Sequence, residues 1–390
     1  MGAVKIGFDV SQTGRLKAGC GYFADSLIQH LVKETVDEYV LYPTFGDNVW
    51  DEEWPTATRF FSDRWNVHRG LGHRSSEDLE AFWRNPPDDL DEQLGQPDIV
   101  HANNFYCPTR LRRARIVYTL HDLAFTVYPE WTTEVNRTAC FSGVFNASLY
   151  ADHIVANSEY TRRHFLETFP HYPPQRISVV YPGSRFTGPA QPTRPATLPY
   201  LEAGQFWLTV GTVEPRKNYI RLLQAYARLR ASVANCQPLV LVGGKGWLMH
   251  ELDVYLEEFG LLGSVVYLGY VDDETLQWLY ENCLAFCYPS LFEGFGMPVA
   301  EAMSLGAATI VSDATSLPEI AGGAGLLVDP EDTEQIASAM RTLAENSALR
   351  TSMQHKVLEA CKRFTWERAA ARVSDIYRAV LEHPAFESRV

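Results

Sequence analysis

Residues 284–301 read Leu-Ala-Phe-Cys-Tyr-Pro-Ser-Leu-Phe-Glu-Gly-Phe-Gly-Met-Pro-Val-Ala-Glu. The apolar run that opens this stretch predicts a buried strand of a parallel sheet. Gly294 and Gly296 then permit a sharp backbone turn that brings N–H groups close to a ligand. Pro298 suits the first turn of the helix that follows. The stretch therefore predicts a strand, a glycine-rich loop and a helix N-terminus, a combination that receives an anion or a polar ligand.

Two carboxylates frame this loop. Glu293 precedes the glycines, and Glu301 lies inside the predicted helix. Because carboxylates repel a phosphate, we interpret them as acceptors of hydrogen bonds from hydroxyl groups beside it, as on a sugar or a ribose. Two solvated glutamates on a surface loop are the structural alternative, since a glycine-rich loop alone is a weak signal.

Length and composition limit the classes of protein. The chain has 390 residues, which is enough for two domains with separate cores. It is 46% hydrophobic and 21% charged, as in soluble globular proteins. Seven cysteines without a Cys-x-x-Cys pair favour free thiols in a reducing cytoplasm and argue against structural zinc. A net charge of −14 argues against nucleic-acid binding and against broad docking on anionic lipid, while contact with a membrane through one local patch stays open.

Strand and helix patterns alternate along both halves of the chain and predict doubly wound parallel sheets. In the first half, strands are predicted at 1–10, 39–43, 98–102, 114–120, 152–157 and 177–181, and helices at 23–33, 133–150 and 158–169. Residues 46–96 have weak periodicity and predict an irregular insertion. The proline-rich residues 182–199 predict an interdomain linker.

The second half repeats the alternation. Strands are predicted at 206–210, 238–242, 265–268, 284–288, 308–311 and 325–328, and helices at 218–230, 248–259, 274–282, 299–305, 333–346, 348–363 and 366–381. We therefore predict one domain over residues 1–190 and a second over residues 200–365.

The spacing Glu293-x7-Glu301 resembles the signature of retaining glycosyltransferases with the two-domain GT-B fold, and is closest to family 4, the glycosyl transferases group 1. The resemblance implies an α/β architecture of two Rossmann-like domains facing across a cleft. It also implies a C-terminal helix, at about 366–390, that crosses back to the N-terminal, acceptor-side domain. The expected activity is transfer of a hexose from a nucleoside-diphosphate sugar to a glycan or lipid-linked glycan, without a metal or other cofactor.

The donor preference rests on two further stretches that look like bacterial mannosyl- and rhamnosyltransferases of surface-polysaccharide assembly. These are the Gly-Gly-Lys-Gly-Trp loop at 243–247 and the stretch from His121 to Glu130. They favour GDP-mannose as the donor, and UDP-glucose or a deoxysugar nucleotide is the second choice. We expect a cytoplasmic enzyme, with the inner face of the membrane as an open alternative.

Two adjacent cations, Arg216 and Lys217, stand between a strand end and a helix start. A planar fork of donors beside a compact charge suits a diphosphate, and the resemblance assigns both residues to the donor phosphates. It assigns Glu293 to sugar hydroxyls and Glu301 to the ribose. The predicted catalytic residues are His121, Asp122, Arg216, Lys217 and Glu293. The predicted donor-binding residues are Gly19, Gly21, Gly211, Gly243, Tyr270, Val271, Phe295, Gly296, Met297 and Glu301.

Several of these positions keep a structural alternative. His121 ends a strand, at the sheet edge where ligands bind in open α/β folds, although a lone histidine is more often structural. Gly19 and Gly21 are either a phosphate-facing loop or an ordinary turn. Asn157-Ser158 is either a family segment or a helix N-cap. Tyr270 lies either near the base or in the core, and Lys245 either near the nucleotide or in solvent.

Asp89-Leu90-Asp91 has the spacing of metal-dependent glycosyltransferases but lies in an acidic, proline-flanked run, so we predict a solvated loop. Basic residues at 110, 112, 113 and 115 are predicted to face solvent, with a lipid-linked acceptor as the alternative. A non-catalytic sugar-nucleotide-binding scaffold, a GT-B epimerase and a phosphorylase remain alternative functions. An NAD-dependent dehydrogenase is excluded by the missing Gly-x-Gly-x-x-Gly fingerprint.

Overall fold

The computed structural model describes residues 2–14, 17–46, 58–71, 76–190, 192–244, 246 and 249–386. The chain divides into two compact units. The first unit comprises Met1–Gly183 and Thr365–Val390, and the second comprises Ser184–Phe364. The chain enters the second unit at Ser184, before the predicted end of the first domain at residue 190.

Each unit contains one parallel sheet. The strands of the first unit are β1 Lys5–Asp9, β2 Glu38–Tyr42, β3 Val67–Arg69, β4 Ile99–Ala102, β5 Arg115–Leu120, β6 His153–Ala156 and β7 Ile177–Val179. Those of the second unit are β8 Trp207–Val210, β9 Leu239–Val242, β10 Val265–Gly269, β11 Ala285–Tyr288, β12 Thr309–Ser312 and β13 Leu326–Val328. The orders are β3-β2-β1-β4-β5-β6-β7 and β10-β9-β8-β11-β12-β13. The direction in which successive strands are added reverses once in each sheet, between β1 and β4 in the first unit and between β8 and β11 in the second.

Helices connect the strands in both units. They are α1 Gly19–Glu34, α2 Ser76–Arg84, α3 Leu90–Gln93, α4 Ala124–Val127, α5 Glu134–Tyr150, α6 Glu159–Thr168, α7 Tyr219–Ser232, α8 Met249–Glu258, α9 Asp273–Asn282, α10 Met297–Ser304, α11 Leu317–Ala321, α12 Thr333–Glu345, α13 Ser347–Cys361 and α14 Trp366–Glu382. Among the residues that the structure describes, no helix is both long and apolar enough to cross a bilayer.

The continuous apolar runs of the sequence become central strands. Strands β4, β8, β9, β11 and β12 are buried along their whole length. Helices cover both faces of such strands, so the runs have no polar alternation. This burial holds the carboxyl ends of the strands in fixed positions, and ligands bind at those ends in doubly wound folds.

The prediction of an irregular insertion at 46–96 is wrong for the residues that the structure describes there. Strand β3 pairs with β2, and α2 buries Leu79 and Trp83 in the core of the first unit. The aromatic rings of Trp83 and Phe45 lie 4.6 Å apart. Leu79 and Trp83 lie four residues apart on the buried face of α2, and aromatic packing stabilises this segment.

The last helix belongs to the first unit. Helix α14 packs on α1, where Trp366 lies edge-on to Phe23 at a ring-centroid distance of 5.6 Å. Tyr377 Oη lies 2.6 Å from Nδ1 of the buried His101, and Arg378 Nη2 lies 2.7 Å from the carboxylate of the buried Asp37. The predicted return of the C-terminal helix to the N-terminal domain is confirmed.

Candidate active site

The reversal point of the second sheet brings together the two loops predicted to bind the donor. Strands β8 and β11 are neighbours, and both loops leave from their carboxyl ends. The loop after β8 carries Arg216 and Lys217 in a short 3-10 turn, and the loop after β11 carries Glu293. The backbone N–H of Leu291 donates to the carbonyl of Arg216 at 2.8 Å, which joins the two loops.

Glu293 is buried and lies at the centre of a charged cluster. Its Oε1 accepts hydrogen bonds from Lys217 Nζ (2.6 Å), Ser290 Oγ (2.6 Å) and Tyr288 Oη (2.9 Å). Its Oε2 accepts one from Arg216 Nη1 at 2.8 Å. Glu293 therefore positions both cations. Its predicted contact with sugar hydroxyls stays a prediction.

The electrostatics of the cluster favour the charged form of Glu293, whereas burial opposes the charged form of Lys217. Burial alone would raise the pKa of Glu293, but Arg216 and Lys217 lower it to about 2. Burial and the neighbouring Arg216 lower the pKa of Lys217, while Glu293 opposes that effect. The Lys217 ammonium also lies 5.1 Å from the centre of the Tyr288 ring, a favourable cation–π distance. The cluster therefore holds the side chains of Arg216 and Lys217 in fixed positions at the sheet edge.

Helix α10 begins beside this cluster. Gly296 precedes it with φ = 94°, and a Cβ there would lie 2.5 Å from Leu317 Cδ2, so the position requires glycine. Ser316 Oγ donates to the carbonyls of Glu293 (2.9 Å) and Phe295 (3.0 Å), which holds the loop in place. Pro298 occupies the first turn, and Met297 starts the helix, as predicted. The positive end of α10 thus lies next to Glu293 and its cations.

Glu301 lies in α10 and is buried beneath Arg185. Arg185 Nε donates to Glu301 Oε1 at 2.7 Å, and Arg185 Nη2 donates to Oε2 at 3.3 Å. Tyr280 Oη donates to Oε2 at 3.1 Å. The carboxylate is 1% exposed, whereas the Arg185 side chain is 18% exposed. Solvent therefore reaches this pair mainly through the Arg185 side chain.

The remaining predicted donor residues of the second unit follow β8, β9 and β10. Gly243 has φ = 147°, and a Cβ there would lie 2.0 Å from the carbonyl oxygen of Gly211, so these two strand ends approach closely. Tyr270 is exposed, which contradicts the core alternative for its ring, and Val271 is half-buried. Lys245 lies outside the described residues.

In the first unit, His121 follows the carboxyl end of β5. It is buried, and its Nε2 lies 2.8 Å from the carbonyl oxygen of Asn103, which follows β4. The Phe23 ring packs edge-on to the imidazole at 5.5 Å. Burial alone would lower the pKa of His121, but the Cys20 side chain, the Asn103 carbonyl and Asp122 raise it to about 9. These contacts favour the protonated imidazole at the sheet edge.

Gly19 and Gly21 lie at the start of α1, and Asp122 follows His121 after β5. The prediction of a loop before residue 23 is wrong, because α1 already begins at Gly19. A Cβ on Gly21 would lie 2.0 Å from the carbonyl oxygen of Gln12, so glycine permits this contact, whereas Gly19 faces open space. Asp122 Oδ1 accepts a hydrogen bond from the backbone N–H of Ala124 at 3.0 Å.

Hydrogen bonds define the surroundings of two further positions. Ser158 is the N-cap of α6, since its Oγ accepts from the N–H of Thr161 at 3.0 Å, and Asn157 Nδ2 donates to the His121 carbonyl at 2.7 Å. The prediction of a solvated loop is wrong for Asp91. This carboxylate is buried and accepts from the backbone N–H groups of residues 112, 113 and 114 at 2.8, 3.2 and 2.8 Å.

Sequence reasoning missed three residues around these sites. Asp9 ends β1. Burial raises its pKa to about 6, although hydrogen bonds from Ser11 and Asn103 act to lower it. The indication in the sequence was a single acidic residue at the end of an apolar strand. Tyr288 was assigned only to a strand. Arg185 had no signal, because it lies in the proline-rich segment predicted as a linker.

The pKa of His121 gives a direct prediction. Because the folded state raises this pKa from 6.5 to about 9, the stabilisation is fully present below pH 6.5 and lost as the pH rises through 9. An NMR titration should show the His121 ring changing charge near pH 9. The buried His101, whose pKa burial lowers to about 3, should stay neutral over that range and serves as the internal control. A midpoint near 6.5 for His121 would contradict the assignment.

Comparison with known proteins agrees with this architecture. The family model of the glycosyl transferases group 1 matches residues 198–359, and that of Glycosyltransferase Family 4 matches residues 18–184. The O-antigen chain mannosyltransferase B of Escherichia coli is 37% identical over 287 residues, which cover 72% of this chain and 74% of the relative.

Solved structures resemble the whole fold. Sucrose-phosphate synthase from Thermosynechococcus elongatus has a TM-score of 0.73 at 20% identity, with 97% of this chain and 99% of that chain covered. Anabaena HepE in complex with UDP-glucose has a TM-score of 0.72 at 18% identity, with coverages of 96% and 100%. The predicted GT-B fold is confirmed. The chain therefore belongs to glycosyltransferase family 4, the glycosyl transferases group 1, and is a glycosyltransferase.

Proposed function

We propose that this enzyme transfers a hexose from a nucleoside-diphosphate sugar to a glycan or lipid-linked glycan acceptor, with retention of the anomeric configuration. The observation that carries the proposal is the buried cluster of Glu293 with Arg216 and Lys217 at the reversal point of the second sheet. The positive end of α10 adds to these cations. Together they suit the charge that develops on a departing nucleoside diphosphate.

The proposed step exchanges one bond at the anomeric carbon for another. The bond from that carbon to the donor phosphate oxygen breaks, a bond to the acceptor hydroxyl oxygen forms on the same face, and the leaving phosphate takes the acceptor proton. Arg216 and Lys217 stabilise the leaving group through charge-assisted hydrogen bonds. This scheme requires no covalent intermediate on the enzyme.

The names of the relatives support a donor and an acceptor for this enzyme. The 37%-identical relative of Escherichia coli is named as an O-antigen chain mannosyltransferase, which supports GDP-mannose as donor and polysaccharide assembly as the setting. A more distant relative from Campylobacter jejuni, 29% identical over 163 residues, is named for a diphospho-undecaprenol acceptor, which supports a lipid-linked acceptor. UDP-glucose is the runner-up donor.

We also propose that transfer is independent of metal ions, because Arg216 and Lys217 can supply the positive charge. A panel of GDP-mannose, UDP-glucose, dTDP-rhamnose and ADP-glucose, assayed with and without EDTA, tests this. We expect GDP-mannose to raise the melting temperature most, by binding the folded state. With a mannosylated acceptor, it should yield an α-linked product by NMR, at a rate that EDTA leaves unchanged.

Each other outcome has a defined meaning. A β-linked product from the α-linked donor would contradict retention, and loss of activity in EDTA that Mg²⁺ or Mn²⁺ restores would contradict metal independence. Conversion of the donor without any acceptor would indicate an epimerase. A melting shift without turnover on any mannosylated or glucosylated acceptor would indicate a sugar-nucleotide-binding scaffold.

A further inference from the structure

Two consecutive residues after β12, Thr315 and Ser316, hold the backbone of the loop that carries Glu293. The backbone N–H of Glu293 donates to Thr315 Oγ1 at 3.0 Å. Ser316 Oγ lies 2.9 Å from the carbonyl oxygen of Glu293 and 3.0 Å from that of Phe295. Side chains of one neighbouring loop therefore bind both the donor and the acceptor group of the Glu293 backbone.

Thr315 has a backbone conformation that is unfavourable for its residue type. Its φ is 55°, and within the part of the chain that the structure describes it is the only β-branched residue with a positive φ. The left-handed region crowds the Cβ of an L-residue, and a branched Cβ makes this crowding worse. Strained residues of this kind persist only where the surrounding structure fixes them, and they cluster at functional sites.

Ser316 stands at the N-cap position of α11, but its hydroxyl does not cap that helix. A serine at this position ordinarily accepts a hydrogen bond from an N–H of the first helical turn and so stabilises the helix. Here the hydroxyl binds the carbonyls of the Glu293 loop instead. Two neighbouring residues thus each lack a locally favourable arrangement, and both hold the same glutamate. Such a conflict between local and tertiary preferences is typical of functional sites.

The residues on either side of Thr315 prevent the strain from relaxing. On one side, the N–H of Asp313 donates to the carbonyl of Val328 at 2.7 Å. On the other side, the buried side chain of Leu317 packs on Gly296. Because a branched Cβ also restricts χ1, a threonine fixed in this way presents its hydroxyl in one place. That place is against the N–H of Glu293.

The position of the Glu293 backbone matters because its carboxylate binds the two cations of the cluster. Oε2 accepts from Arg216 and Oε1 accepts from Lys217, so a shift of the Glu293 backbone moves both cations. Groups that stabilise developing charge are effective when they are preorganised. A misplacement of about 1 Å is enough to lower a rate by about 100-fold.

We propose that Thr315 and Ser316 are positioning residues for the transfer reaction. They fix the backbone of Glu293, and through its carboxylate the cations Arg216 and Lys217, at the expense of local stability. This inference rests on the proposed function and deepens it, because it extends the site to a third loop, the one that follows β12. It implies that relief of the strain at Thr315 lowers turnover although it favours the local backbone.

Three substitutions of Thr315 separate the hydroxyl from the strain, with GDP-mannose and a mannosylated acceptor, or the donor that the panel above selects. Thr315→Val keeps the branched Cβ but removes the acceptor, and should lower kcat by about 10- to 100-fold with little change in the donor KM. Thr315→Gly removes the acceptor and the strain together. It should lower kcat to the same extent but melt at a higher temperature than Thr315→Val. Thr315→Ser keeps the hydroxyl and should restore kcat to near the wild-type value.

Two control variants and one further readout accompany these rates. Asn235→Gly is the control for the backbone change, since Asn235 is exposed and has the same φ of 55°. Thr351→Val removes an exposed threonine hydroxyl in α13. Both should leave kcat at the wild-type value. Hydrogen–deuterium exchange of peptides that cover residues 290–296 should be faster in Thr315→Val and Thr315→Gly than in the wild type, and unchanged in Thr315→Ser.

Failure of the inference differs from failure of the proposed function. Wild-type kcat in Thr315→Val or Thr315→Gly would overturn the positioning role, while the transfer itself would keep the proposed function. A Thr315→Gly variant that melts below Thr315→Val would overturn the strain at this position. Absence of transfer by the wild type from every donor of the panel would overturn the proposed function and the positioning role together.

Discussion

Replacing Lys217 with methionine should lower kcat/KM by about 10²- to 10³-fold, the loss measured when one preorganised group that stabilises developing charge is removed. Methionine retains much of the side-chain volume in this 10%-exposed position but removes the ammonium that Glu293 and Tyr288 hold. Arg216 keeps Glu293 paired, so the cluster is not left with an uncompensated carboxylate. Initial rates with a saturating acceptor measure the effect.

Lys362→Met is the matched control, because Lys362 is exposed and pairs with Glu359 at the surface. It should leave kcat/KM at the wild-type value. Lys217→Met should retain the wild-type circular dichroism spectrum, and wild-type turnover by that folded variant would refute the phosphate site. Glu293→Ala is a less selective test, since it leaves two cations without their shared partner and is expected to destabilise the unit as well.

Replacing Arg185 with methionine should reduce the free energy of unfolding by about 3–5 kcal/mol, because it leaves the buried carboxylate of Glu301 without its counter-ion. The double variant Arg185→Met with Glu301→Leu should recover most of that loss, since an apolar pair of similar volume is tolerated where a single charge is not. Urea unfolding of the two variants measures both values.

Arg228→Met controls for loss of an arginine on the surface of the same unit. Its partner Glu334 and Arg228 itself are more than half exposed, so the expected change is below about 1 kcal/mol. If Arg185→Met matched Arg228→Met, the Arg185–Glu301 pair would contribute little to stability.

The parts of the fold that follow from local chemistry were predictable. Central strands are uninterrupted apolar runs, and the start of α10 is marked by Gly296 and Pro298, whose backbone requirements are local. The charged cluster was also anticipated in part. Arg216 and Lys217 stand at an unfavourable end of a helix, and such a local misfit indicates that tertiary partners compensate.

The missed parts depend on long-range contacts. Asp91 looked like a solvated acid, yet its carboxylate satisfies three backbone N–H groups of a distant segment. Arg185 lies in a proline-rich stretch, and nothing in its neighbours indicates that Glu301, 116 positions later, will pair with it. Helix α2 was missed because it is short, and its apolar residues Leu79, Phe82 and Trp83 stand within a longer polar segment that has no overall period.

The placement of α14 has a consequence for synthesis. The first unit is begun by the first 183 residues but completed only by Thr365–Val390, whereas the second unit is one continuous segment. A chain that ended at Phe364 would lack α14, so its first unit would expose the surface that α14 covers, including Phe23 and the partners of Tyr377 and Arg378. Domains usually fold in the order of synthesis, but the first unit cannot finish folding before its last helix has been made.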